Sequence, residues 1–194
     1  MDLAIVGTGT VGRSLGRAWA DRGHDVVYGS RHPEESAAPG GPVRSRAAAA
    51  AHGDVVVLAV PGSAVAAVAA DLRESLRGAV VVDPTNTLDR TADGRSLADA
   101  VADAAPGARV VKAFNTVGAE VMADPAVADG TATMLVAGDD GDAVGTVVDL
   151  AADVGFDPVR AGDRSAAIML EDLARLWIHL SRRYGREMAF RLLR

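Results

Sequence analysis

The motif Gly7-Thr8-Gly9-Thr10-Val11-Gly12 stands directly behind the apolar run Leu3-Ala4-Ile5-Val6 and opens a segment of helical periodicity, Val11–Arg22. Each glycine of such a motif has its own physical task. The first makes a tight turn, the second lets a pyrophosphate approach the backbone, and the third lets the helix pack closely on the strand. The amides at the start of the helix and its dipole complete an anion cradle. A strand, turn and helix in this order form the opening unit of a parallel sheet that binds a dinucleotide.

The rest of the chain repeats that alternation. Short apolar runs predict strands at Leu3–Val6, Val26–Tyr28, Val55–Val60, Ala79–Val82, Arg109–Ala113, Ala132–Val136 and Asp157–Val159. Between them, Ala-rich stretches predict helices at Val11–Arg22, Arg44–Ala51, Ser63–Leu76, Ser96–Ala104, Gly118–Met122 and Asp142–Val154. Strands that read as continuous apolar runs are buried on both faces, which requires helices on both sides of a parallel sheet. The fold class expected is therefore α/β, a Rossmann-like, doubly wound and mostly parallel sheet with a short C-terminal helical extension. Residues 1–160 form the nucleotide-binding domain, and 161–194 form the extension packed on it. From Arg164 to Leu193 apolar residues recur every three or four positions, predicting one long amphipathic helix. Its stripe Leu173, Leu176, Trp177, Leu180 is wide enough to serve its own core and a partner, so a homodimer is expected.

Composition removes several classes of function. With no cysteine there is no disulfide framework, thiolate metal site or thiolate nucleophile. A net charge of −6 argues against nucleic acid, whose binding draws on Lys and Arg neutralising phosphates. No apolar run approaches the roughly 18 residues of a membrane span. A cytoplasmic protein is expected. His24, His32, His52 and His179 show no ligand spacing, so no metal site is expected.

The end of the second strand selects the dinucleotide. An acid there would accept hydrogen bonds from a ribose 2′-hydroxyl and repel a 2′-phosphate. The residues present are Gly29-Ser30-Arg31-His32, in which Ser30 offers a hydroxyl and Arg31 a fork of donors to phosphate oxygens, so NADP(H) is favoured. Ligands of open α/β sheets lie at the carboxyl ends of the strands. The segments leaving the next three strands carry Val60-Pro61-Gly62-Ser63, Asp83-Pro84-Thr85-Asn86-Thr87 and Lys112-Ala113-Phe114-Asn115-Thr116-Val117. Asp83 and Lys112 are the only ionisable groups among them, and Lys112, the one lysine of the chain, is expected to pair with an acid at a strand end. No side chain is assigned a catalytic role. A crevice of this composition suits hydride transfer between two stacked rings, which depends on position, better than reactions needing a placed acid or base.

Taken in order, Gly7-Thr8-Gly9-Thr10-Val11-Gly12, Gly29-Ser30-Arg31, Val60-Pro61, Asp83-Pro84-Thr85-Asn86, Val111-Lys112-Ala113-Phe114-Asn115-Thr116 and Ala137-Gly138-Asp139-Asp140 resemble the deazaflavin-dependent NADP reductase family. The resemblance spans almost the whole chain. It implies an NADP-dependent oxidoreductase exchanging hydride with coenzyme F420, and a similar domain in metalloreductases passes hydride to a flavin. It further implies that Ser30 and Arg31 hold the 2′-phosphate, that Thr8, Thr10 and Val11 lie under the pyrophosphate with Gly7, Gly9 and Gly12, and that Val60, Pro61, Asn115 and Thr116 flank the nicotinamide. Asn115 stands where characterised members carry a histidine against the deazaflavin. A flavin, a deazaflavin, or a small carbonyl, imine or enone substrate therefore stay open as hydride partner, as does a non-catalytic NADP(H) sensor.

Overall fold

The computed structural model describes residues 1–89, 91, 94–127 and 130–194. The apolar runs form the strands β1 (Asp2–Val6), β2 (Asp25–Ser30), β3 (Val43–Ser45), β4 (Val55–Val57), β5 (Val80–Asp83) and β6 (Arg109–Lys112). Between and around them lie the helices α1 (Thr10–Ala20), α2 (Arg46–Ala50), α3 (Val65–Asp71) and α4 (Leu97–Ala104). A two-stranded ribbon, β7 (Ala126–Val127) and β8 (Gly130–Thr131), precedes β9 (Thr133–Gly138), α5 (Gly141–Asp153), β10 (Asp157–Gly162) and α6 (Ala167–Tyr184). The main sheet has the order β10-β9-β6-β5-β4-β1-β2-β3 and is parallel throughout except where β6 meets β9. The chain thus winds outward from β1 in one direction through β2 and β3, then returns to β4 and winds the other way. The carboxyl ends of β1 and β4 diverge at that reversal, which opens the crevice where such sheets bind ligands.

Alternation along each strand divides the core in two. Leu3 and Ile5 of β1 face one layer with Leu15, Trp19, Leu150 and Phe156, while Ala4 and Val6 face the other with Val65, Val68, Leu76 and Val101. Both faces of the central strands are fully buried, which is why β4 and β5 read as unbroken valine runs.

Five local expectations change. Gly118–Met122 makes only tight turns, with Val121 N–H on Gly118 O, and no helix. The segment expected as one helix from Arg44 begins as edge strand β3, paired with β2. Ser63–Leu76 is helical only through α3, and β4 ends at Val57, short of Val60. The helix expected to reach Leu193 stops at Tyr184, where Gly185 takes φ +85°. A glycine in the left-handed region ends helices at low cost because it has no Cβ to clash. Beyond it the chain runs back as a strap, with Thr133 N–H donating to Phe190 O and Leu192 N–H to Thr133 Oγ1.

Trp19 ties α1 to α5 within the first layer. It is fully buried, donates Nε1–H to Leu150 O at 3.0 Å, and meets Phe114 edge-to-face at 5.5 Å. Trp19→Ala should lower the unfolding free energy by about 3–5 kcal/mol, measured by denaturant titration; a loss indistinguishable from zero would show that this contact does not anchor the core.

Candidate functional site

The three glycines of the motif occupy three different surroundings. Gly7 sits at φ +122°, and a Cβ there would fall 2.1 Å from Ala59 O. A Cβ on Gly12 would lie 2.4 Å from Gly7 O and 3.0 Å from Ile5 Cγ2, so its absence is what lets α1 lie on β1. A Cβ on Gly9 would meet nothing within 4 Å. That open side faces the groove. Gly9 is also the N-cap of α1 and supplies no side-chain cap, which leaves first-turn amides directed outward for an anion.

The groove has two halves. One, about 360 Å³, is lined by Gly7, Thr8, Gly9, Ser30, Arg31 and Arg46, among others; the second, about 330 Å³, by Thr10, Val11, Pro84 and Thr85. Gly9, Ala59, Val60 and Pro61 border both, so the halves are continuous around the turn after β1. Arg31, His32, Glu35 and Arg46 gather in the first half. Among the described residues, no titratable side chain lines the second half.

Arg46, at the start of α2, is a groove residue that the sequence reading passed over. Its backbone reaches β2 because residue 29 is glycine: a Cβ there would lie 3.1 Å from Arg46 Cα. Its Nε is buried and has no hydrogen-bond partner among the described residues. Burial and then the charge of Arg31 push the Arg46 guanidinium below its ordinary pKa, as expected for two cations sharing one concavity. Ser30 is held beside them. Its Oγ accepts from His32 N–H at 3.1 Å and lies 2.8 Å from Ser36 Oγ; since Ser36 donates to His32 O, the proton between the serines belongs to Ser30. An open glycine cradle, an orphaned guanidinium N–H and a second arginine fit a pyrophosphate and a further phosphate.

The remaining expected residues are elsewhere. Asn115 and Thr116 are 3% exposed and do not line the groove. Asn115 lies behind the groove wall, donating Nδ2–H to Asn86 Oδ1 and Leu170 O, while Asn86 Nδ2 donates to Asn115 O at 2.7 Å. Thr116 borders a separate apolar pocket with Leu135, Leu173 and Phe190. Lys112 pairs with Asp83 at 2.9 Å, the strand-end acid, and also with Glu171 of α6 at 2.8 Å. Among the described residues Asp2, Asp25 and His52 come close enough to share a metal ion, at the amino ends of the central strands and so at the opposite end of the sheet from the groove.

Fold and groove together define a Rossmann-type oxidoreductase domain built around a phosphorylated dinucleotide. Residues 2–87 match the family described as NADP oxidoreductase coenzyme F420-dependent. The chain is 30% identical to the F420-dependent NADP reductase of Methanothermobacter thermautotrophicus, over 93% of this chain and 89% of that enzyme. It is 31% identical to metalloreductase STEAP3 of Rattus norvegicus over 87% of this chain, but spans only 35% of that relative's length. A solved structure from Arthrobacter sp. FB24, provisionally assigned as an F420-dependent NADP reductase, superposes with a TM-score of 0.90 at 32% identity, covering 100% of both chains. The imine reductase BcSIRED of Bacillus cereus, at 17% identity and a TM-score of 0.69 over 92% of this chain and 59% of that one, shares the fold. The chain belongs to the F420-dependent NADP reductase family.

Arg31→Ala and Arg46→Met should each weaken NADPH binding on the order of ten- to a hundredfold, the worth of a charge-assisted contact, while leaving NADH affinity nearly unchanged. Calorimetry with both cofactors decides it, and equal losses for the two would remove the guanidinium pair from the 2′-phosphate.

Proposed function

We propose that this protein moves hydride between NADP(H) and the deazaflavin coenzyme F420, with the adenosine 2′-phosphate in the charged half of the groove and the two rings stacked in the apolar half. Membership of the family and the placement of charge carry the reading. In this assignment Arg31 and Arg46 take the 2′-phosphate, with Ser30 turning its hydroxyl from Ser36 to a phosphate oxygen; Gly7, Thr8, Gly9, Thr10 and Val11 run beneath the pyrophosphate; Gly12 keeps α1 seated; and Val60 and Pro61 flank the nicotinamide. Asn115 and Thr116 act from behind the wall. Bound NADPH supplies the hydride. The chain's own part is to hold, orient and dry the reacting rings, since Val11, Val60, Pro61 and Pro84 offer apolar surface and Thr10 only a weakly acidic hydroxyl. The absence of a titratable group among the described residues of this lining favours ring-to-ring transfer over reduction of a carbonyl or imine, which needs a positioned proton donor.

The division into a nucleotide-binding part, 1–160, and an extension, 161–194, belongs to the same proposal, with α6 closing the acceptor side. No helix among the described residues is long and apolar enough to cross a membrane. We assign the protein to the cytoplasm because its proposed substrates are charged small molecules that do not cross a bilayer unaided.

Following NADPH absorbance with F420, FMN and FAD as acceptors should give turnover with F420 in excess of either flavin. Faster turnover with a flavin or with a panel of small carbonyls would overturn the assignment of the acceptor.

We also propose a homodimer. The expected stripe divides in the fold: Trp177 is buried, with Nε1 donating to Met188 O, whereas Met169 and Leu176 are 66% and 48% exposed. Met169, Leu173, Leu176 and Leu180 lie four, three and four residues apart, the spacing of a seam between helices. Light scattering should report a dimer at micromolar concentration that Leu176→Arg converts to a monomer still able to bind NADPH; a monomeric unmodified protein would refute it.

A further inference from the structure

We propose that Glu171, acting through Lys112, is a positioning residue for hydride transfer: it fixes the wall of Pro84, Thr85 and Asn86 against which the acceptor half of the groove is built. The proposal rests on the reading of that groove given above. Lys112 is fully buried, and its ammonium has three acceptors: Asp83 Oδ2 at 2.9 Å, Thr85 O at 2.6 Å and Glu171 Oε1 at 2.8 Å. Three protons meet three acceptors, so the group is saturated and its direction is set. Thr85 is held at every polar atom, because its N–H and hydroxyl both donate to Asp83 Oδ1, at 2.9 and 2.6 Å, while its carbonyl accepts from Lys112.

Glu171 brings two further elements to this point. Its Oε1 also accepts from Leu97 N–H at 2.8 Å, the first residue of α4, and its backbone is part of α6. One residue earlier, Leu170 O accepts from Asn115, which exchanges hydrogen bonds with Asn86. The wall is backed from the other side as well. Gly62 packs so closely that a Cβ there would lie 2.3 Å from Asn86 O. Asn115 reaches the wall where Phe114, two residues after β6, adopts φ +61°, a conformation costly for a bulky side chain and held here by Trp19 and Phe156.

Stability alone does not call for this arrangement. Two carboxylates and one ammonium are sealed from water, and Glu171 Oε2 is buried with no partner among the described residues. Well-packed apolar side chains in place of such buried ions commonly leave stability unchanged or raise it. What the ions supply is direction, since hydrogen bonds of fixed geometry orient the Thr85 carbonyl and apolar packing does not. A shift of the wall by a fraction of a ring's width is enough to misplace two reacting carbons.

The test compares the unmodified chain with Glu171→Gln and with the triple variant Asp83→Asn/Lys112→Met/Glu171→Leu, which removes all three buried ions together and so strands no unpaired charge if the single variant fails to fold. Three quantities are read: hydrogen–deuterium exchange across residues 83–87 without ligand, the NADPH dissociation constant, and the single-turnover rate of hydride transfer to F420. The expected result is faster exchange confined to 83–87 and the start of α6, nearly unchanged NADPH affinity, and transfer slowed on the order of ten- to a hundredfold. Folded variants whose exchange at 83–87 and transfer rate match the unmodified chain would overturn the proposal. Failure of the unmodified chain to reduce F420 would instead remove the acceptor assignment, and the exchange data would still decide the role of Glu171.

Discussion

The acceptor half of the groove depends on one ammonium. Lys112 ends β6, Asp83 ends β5 beside it in register, and Glu171 descends from α6, so a single charge joins two neighbouring strands to the last helix. Exposed, such a pair would contribute little, because water competes for both partners. Buried, the same charges cannot be released singly: removing one leaves the others unpaired at a cost of about 3–5 kcal/mol. The cluster therefore behaves as a unit, and Thr85, bonded to it at three atoms, moves with it or not at all.

This gives the two halves of the groove different physical characters. The cofactor half is held by backbone: glycines that permit close approach, amides at the start of α1, and arginines near enough for the charge of one to lower the pKa of the other. Its binding energy comes from anions meeting donors. Behind the acceptor half stands a buried charge network, and the described residues that line this half present apolar and hydroxyl surface. Separating the two lets phosphates be gripped strongly without placing charge beside the reacting rings.

How far this could be read from the residues follows from how local each signal is. The glycine motif is legible because all three roles are played within six positions and one strand. Arg31 is legible because it follows directly from β2. Arg46 is not: it belongs to a helix sixteen residues beyond β2's end and reaches the groove only through the pairing of β3 with β2 and the missing side chain at Gly29. The positions given to Asn115 and Thr116 rested on resemblance, and the positive φ of Phe114, which turns them behind the wall, leaves no mark in residue type. Two signals were present and passed over. Gly185 marks the end of α6 in the midst of an apolar periodicity, and Glu171 is a carboxylate on the stripe Ala167, Leu170, Ala174, Trp177 that the helix buries. A charge on a buried stripe needs a partner of opposite sign, and Lys112, standing at the end of an apolar strand, is in equal need of one.

The same reasoning bears on why the reaction needs so little side-chain chemistry. Asp83 and Lys112 stand behind the wall of the acceptor half, and both are 0% exposed with their hydrogen bonds spent on Thr85, Glu171 and each other. A carboxylate spent on two hydrogen bonds from Thr85 and one from an ammonium is a poor base, and an ammonium with all three protons donated is a poor acid. The groups that could have carried proton transfer are thus committed to holding the wall. What remains for catalysis is placement, and placement is what a hydride passing between two flat rings requires.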